Sequence, residues 1–306
     1  MAAPATMHQV RAWSIVDPTG SSSVPSPQRN PWPLQARFGL VVLGLILLFA
    51  VFGPLAASTG PEQQNLPGRL AKPVFLGGGW DHPLGTDQLG RDMLARMAVG
   101  TRLSLAIGMV VTLLAGTLGA FLGLLAAITG RRTDRAVAFA VDVQIAVPVV
   151  VLAIAASALF QPGIAVVVGV LTFSGWVSYQ RVVRAQTRSV LGSSFVEASR
   201  SIGGSRRWIA RKHLLPNAIG PVIVIATQQV AAVILFESAL SYLGLGVPLN
   251  QITLGGMVAG GREAMLAAWW VPALPGAVIA LVVLGLNLFG DGLRLRWDPR
   301  SRTVSQ

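Results

Sequence analysis

Apolar residues in this chain come in long unbroken runs, and most of the charge sits in the short stretches between them. The first run, 38–57, has 20 residues. As a helix rising ~1.5 Å per residue it is about 30 Å long, the thickness of a bilayer's hydrocarbon core. Five more runs follow, at 103–129, 136–160, 164–179, 218–236 and 270–289. They predict six transmembrane helices and an all-α, polytopic membrane protein, because helices satisfy their own backbone hydrogen bonds in lipid. The fourth run has only 16 residues, so its helix is expected to continue into the polar segment behind it. Residues 1–36 hold Pro4, Pro18, Pro25, Pro27, Pro31, Pro33 and the run Ser21, Ser22, Ser23, with no apolar period. They are expected to form a disordered tail. Residues 37–300 would be the membrane domain and 301–306 a C-terminal tail. A cleaved signal peptide is disfavoured, since both the lead and the apolar run are too long for one.

Composition sharpens the picture. Hydrophobic residues make up 53% and charged residues 12%, about half the roughly 25% usual in soluble domains. That excludes an ordinary soluble enzyme. The net charge of +12 lies in the gaps between apolar runs and not on an aromatic-bearing surface, which argues against nucleic acid. Of the 24 lysines and arginines, eighteen fall on the side of the two termini and six on the other. By the positive-inside rule both termini are expected in the cytoplasm. There is no cysteine, hence no disulfide and no thiolate chemistry.

Catalytic signatures are missing. Lys72 and Lys212 are the only lysines and neither follows a glycine, so no phosphate-cradling GxxxxGK[ST] loop exists. His8, His82 and His213 are scattered outside any HExxH, and GxSxG does not occur. No metal or cofactor is expected in this chain, and His82 and His213 read as loop or interfacial polar residues. Asp142 and Glu237 fall near opposite ends of their runs. This disfavours a proton-coupled carrier, which would keep such groups near the midplane.

Small residues recur at helical spacing as Gly116 with Ala120, and Gly119 with Gly123 and Ala127. They predict close helix packing, read as packing within the chain ahead of contact with another subunit. Gly276 and Ala280 form a similar pair. On the opposite side, Leu89, Met93 and Met97 repeat every four residues beside Arg91, Asp92 and Arg96, as in a helix lying on the membrane surface. Glycines in 242–247 and at Gly255 and Gly256 predict tight bends near the outer mouth.

The gap between the fourth and fifth runs is the most informative. Arg181, Arg184 and Arg188 share one helical face, suited to anionic headgroups. Then comes FVEASRSIGGSRRWIARKHLLPN. Glu197, Ala198 and Ser199 predict the first turn of a short helix, with the acid near its amino end. Gly203 and Gly204 break it. Small side chains bounded by a glycine turn would let this helix sit deep in a groove of another protein.

The order Glu197, Ala198, Ser199, then Gly203, then Leu215 and Pro216 resembles the EAA loop of permease subunits in bacterial ABC importers. HPLGTDQLGRDMLARMAVGTRLSL from His82, ESALSYLGLGVPLNQITLGGMVAGGRE from Glu237 and NLFGDGLR from Asn287 are similar to the dipeptide, oligopeptide and nickel branch, in particular its C-type permease. The likeness covers about residues 34–300. It implies the type I ABC importer permease fold, a multi-pass place in the bacterial cell (inner) membrane, and a coupling loop over about 193–217. Glu197, Ala198, Ser199 and Gly203 would contact an ATPase, and Pro216 with Asn217 would restart the fifth helix. The implied partners are a homologous permease forming a heterodimer, two ATP-binding cassette ATPase subunits, an extracytoplasmic solute-binding protein and the bilayer. ATP and Mg would be bound by those ATPases. Peptide is the implied cargo, with nickel or another small solute as alternative, and a stand-alone secondary transporter as the rival from another class. Two departures are noted: Ser199 stands where the family has a second alanine, and LRWDPR follows Arg294 where an acidic residue is more usual.

Overall fold

The structure, a computed structural model, describes residues 32–248 and 250–297. The expected N-terminal tail lies outside the described residues as far as residue 31, as does 301–306. The described residues form helices and loops with no β-strand. Helix α1, Leu34–Ala56, starts directly after Pro33, whose fixed φ precedes the first turn. Helix α2, Met93–Ile128, has 36 residues, about 54 Å at ~1.5 Å per residue, so it extends well beyond a bilayer core. Its start is fixed by Asp92, whose carboxylate accepts from the Ala95 amide at 3.0 Å.

The third run departs from a single span. It forms α3, Arg131–Ala146, and α4, Val149–Leu159, bent by 83°. The cause is Pro148, which has no N–H for the preceding turn and keeps Val147 extended. Five helices are therefore long and apolar enough to cross a membrane, or six if the bent pair is one span. Helix α5, Ile164–Leu191, carries the fourth run through the arginine-bearing segment.

After α5 come α6, Ser194–Ser201, then α7, Arg206–Ile209, a π turn over Ala210–Leu214, and α8, Leu215–Tyr242. Pro216 stands in the first turn of α8, as the resemblance implies, and the π turn runs into it without a break. The path from Arg207 to Tyr242 is one 36-residue helix, and the widened π turn absorbs the proline. Helix α9, Leu254–Gly261, contains Gly255 and Gly256, which the sequence placed in a turn. Thr253 caps it, accepting from the Gly256 amide at 3.0 Å. Helix α10, Trp270–Trp297, closes the described chain.

The segment 86–97 is likewise not one surface helix. Asp87 accepts from the amides of Leu89 and Arg91 at 2.9 and 3.0 Å, a local turn that competes with helix. Helix begins only at Met93. Met93 and Met97 are buried with Ile252, Met257, Trp270 and Val271, so their four-residue period marks packing inside the molecule.

The glycine ladder of α2 is used within the chain. A Cβ at Gly119 would lie 2.2 Å from the Trp176 carbonyl oxygen, and one at Gly123 2.8 Å from that of Gln180. Only glycine lets α2 and α5 backbones approach this closely. Helix α1 packs on α10, with Gly39 against Gly285 and Phe289, and Ala36 against Gly292. Gly276 faces open space.

Candidate functional site

At one end of the bundle the carboxy ends of α2 and α5 and the start of the α7–α8 helix converge. Val196 of α6, Ile209 and Leu214 form a buried cluster there, against Leu124 and Ile128 of α2 and Val190 and Leu191 of α5. Val196 is 0% exposed. This one residue fixes which face of α6 looks inward, and the opposite face is free.

Glu197 lies in the first turn of α6, where a negative charge suits the helix dipole. Glu197 and Ala198 are exposed and Ser199 is half-buried, its hydroxyl donating to the Phe195 carbonyl at 2.8 Å. The helix ends in a Schellman arrangement. The Gly203 amide donates to Arg200 O at 3.0 Å, and that of Gly204 to Ser199 O at 2.9 Å. Gly203 has φ +86° and is exposed, with no atom within 4 Å of where its Cβ would be. Its role is thus the backbone turn and not close packing. The structure brings all four residues of the sequence motif onto this one short protrusion.

Sequence reading missed the apolar part of the same surface. Ile202 is 84% exposed, and Phe195 and Trp208 are 47% and 40% exposed. These large apolar side chains are left in the open beside the small-residue face of α6. The available signal was Ile202 directly before the glycine pair. Exposed cations border the patch at Arg200, Arg207, Arg211 and Lys212.

The arginine face of α5 divides in two. Arg184 donates to both carboxylate oxygens of Asp134 at 2.5 and 2.9 Å, and Arg188 to one at 2.5 Å. These ties join the start of α3 to the end of α5 just before α6. Arg181 is exposed.

The other end of the bundle is built from 57–92, the top of α2, α9 and the start of α10. His82 Nδ1 lies 2.7 Å from Asp92, Arg91 donates to Asp87 at 2.7 Å, and Arg96 donates to the Pro61 carbonyl at 3.0 Å. Gln88 reaches the Gly260 carbonyl at 2.7 Å. Gln88 ties the loop to α9, and the other contacts hold the loop to itself and to the start of α2. Glu237 is buried near the end of α8, where Ser241 donates to it at 2.9 Å. Among the described residues no three His, Asp or Glu side chains gather as a metal site would need.

Residues 119–303 match the family described as binding-protein-dependent transport system inner membrane component. Residues 35–73 match the N-terminal TM domain of oligopeptide transport permease C. A di/tripeptide transport system permease protein of Pseudomonas aeruginosa is 37% identical over 287 residues, covering 92% of this chain and 95% of that protein. A probable D,D-dipeptide transport system permease protein of Escherichia coli is 34% identical, with 85% and 86% covered. An oligopeptide transport system permease protein of Bacillus subtilis is 33% identical, with 87% and 86% covered. Among solved structures, an inward-facing form of the MetNI methionine ABC transporter superposes with TM-score 0.57 at 20% identity. It covers 67% of this chain and 98% of that one, and this likeness bears on fold alone.

Proposed function

This chain belongs to the family of binding-protein-dependent transport system inner membrane components, and from that membership we infer that it is a permease subunit for peptide uptake in an ATP-binding cassette importer. Its helices have the type I importer permease architecture. The relatives at 33–37% identity are named for dipeptide, di/tripeptide or oligopeptide transport, which supports peptide as cargo ahead of nickel or another small solute.

One observation carries the mechanism. Helix α6 stands beyond the ends of α2 and α5, pinned through Val196, with Glu197, Ala198 and Ile202 turned outward. A helix held on one side and bare on the other suits a cleft in an ATPase subunit. Ala198 allows close approach and Gly203 turns the chain back at once. Two such ATPases would bind the ATP and Mg, so this chain itself hydrolyses nothing and needs no cofactor. A homologous permease would complete the path as a heterodimer, and a solute-binding protein would deliver cargo at the opposite end. The excess of basic residues around α6 supports a cytoplasmic position for this end and for both termini in a bacterial inner membrane.

Reversing a two-state gate from 1:99 to 99:1 takes about 5.5 kcal/mol of differential binding. On this reading that energy enters through Glu197, Ala198, Ser199 and Gly203. The test is Ala198→Trp, which adds bulk on the exposed face and leaves Val196 and the buried cluster untouched. The variant should insert normally but fail to co-purify with the ATPase subunits. Undiminished co-purification and uptake would remove the assignment. Transport by the purified chain alone, without ATPases, would instead favour a secondary carrier.

A further inference from the structure

Phe195 and Trp208, both partly exposed on that surface, each also meet a third ring behind it. His213, in the π turn, lies between Phe195 of α6 at 5.4 Å and Trp208 of α7 at 5.2 Å, centroid to centroid. The Trp208 contact is edge-on, and Lys212 Nζ sits 4.9 Å from the same indole. Residues 208 and 213 are five apart. In a regular α-helix neighbours on one face are three or four apart, so these two rings would point in different directions.

The π turn removes that obstacle. The Leu215 amide donates to the Ala210 carbonyl, an i→i+5 bond, and this wider turn brings residues five apart together. Its origin is in the sequence. Pro216 has no N–H for the Lys212 carbonyl, and its ring would collide with that carbonyl in a regular helix. Asn217 Nδ2 donates to the His213 carbonyl at 2.6 Å, satisfying an acceptor in the irregular stretch. The proline therefore builds the turn, and the turn places His213 against both rings.

The imidazole sits there as a flat body. Its Nε2 is sealed from solvent and has no hydrogen-bond partner among the described residues. A buried nitrogen that bonds to nothing contributes no favourable polar interaction, so the ring's faces and edges carry the contact. Phe195 and Val196 are adjacent in α6. One reaches the His213 ring and the other the Ile209–Leu214 cluster, giving α6 two separate attachments to the base of α8.

We propose that His213 is a positioning residue: it clamps α6 to the first turns of α8 through Phe195 and Trp208, so that a push on α6 moves α8 as one rigid body. This rests on the reading of α6 as the ATPase contact. The residue touches no cargo and no nucleotide, and acts by keeping the protrusion and the membrane helix from moving separately.

The experiment uses the full importer, reconstituted with its ATPases and binding protein, and tritiated alanyl-alanine as probe. It measures peptide taken up per ATP hydrolysed, with ATPase co-purification beside it. His213→Ala should retain the ATPases and their hydrolysis while uptake per ATP falls about tenfold, the scale of two lost aromatic contacts. His213→Phe should restore the ratio, since it keeps the ring and drops the unpaired nitrogen. Parental uptake per ATP in His213→Ala overturns the clamp. So does a phenylalanine at 213 that does no better than alanine, because the nitrogen would then be what matters. If the parental chain fails to retain ATPases, the functional reading falls first and takes the clamp with it.

Discussion

Replacing Gly203 separates two demands that the coupling segment places on one residue. Its φ of +86° is the left-handed region, and a Cβ there would meet no atom within 4 Å. Gly203→Ala therefore adds no clash inside the chain and only a backbone term, roughly 1–2 kcal/mol for an L-residue held left-handed. Asparagine tolerates this conformation far better. At 1.4 kcal/mol per tenfold, the alanine term corresponds to about a 5–30-fold drop in the population of correctly terminated α6. If that helix end must be in place for the ATPases to act, uptake by Gly203→Ala should fall by up to this factor. Gly203→Asn should stay close to the parent. The assay is uptake of labelled dipeptide by proteoliposomes holding the complete importer, normalised to the chain present. Equal activity of the two variants, whether both high or both low, would refute the idea that the left-handed turn is what Gly203 supplies. Gly203→Trp is less informative, because it combines backbone strain with bulk. Ala198→Trp supplies bulk without strain.

Two further predictions concern the scaffold. Gly119→Val puts carbon where 2.2 Å separates a Cβ from the Trp176 carbonyl; overpacking of about 1–3 kcal/mol should lower the thermal midpoint in detergent. Gly169→Ala, at a helix position facing open space, should leave the midpoint unchanged or raise it slightly, and equal effects would contradict the packing account. Asp134→Asn loses the charge shared by Arg184 and Arg188. A partly exposed cluster of this kind is worth about 1 kcal/mol, so stability should drop slightly and the difference should shrink as salt is raised. A variant whose deficit grows with salt would exclude an electrostatic tie.

The runs at 38–57, 103–129, 218–236 and 270–289 were legible because hydrocarbon imposes one requirement, apolar length, and that requirement is written locally. The helix around Glu197–Ser199 and its stop at Gly203 were legible for a similar reason, since dipole, side-chain size and positive φ are all short-range. Met93 and Met97 misled because a four-residue apolar period is the same whether it faces lipid or protein. Gly255 and Gly256 misled because the Thr253 cap and the surrounding packing held two glycines in a helix. Ile202 was passed over because sequence cannot tell an apolar residue that is buried from one left bare.

By itself, the chain's order of residues determined that most of it forms apolar helices of membrane-crossing length, where those apolar runs lie, and which connecting segments carry the positive charge. Those properties follow from solvation and backbone geometry over a few turns. Only the tertiary structure decided that the glycines of α2 serve α5, that Pro148 bends the third span by 83°, that Val196 chooses the bare face of α6, and that Pro216 widens a turn enough to bring His213 between two rings. These depend on what lies opposite each residue across tens of positions of chain, and close packing, unlike hydropathy, exists only between partners.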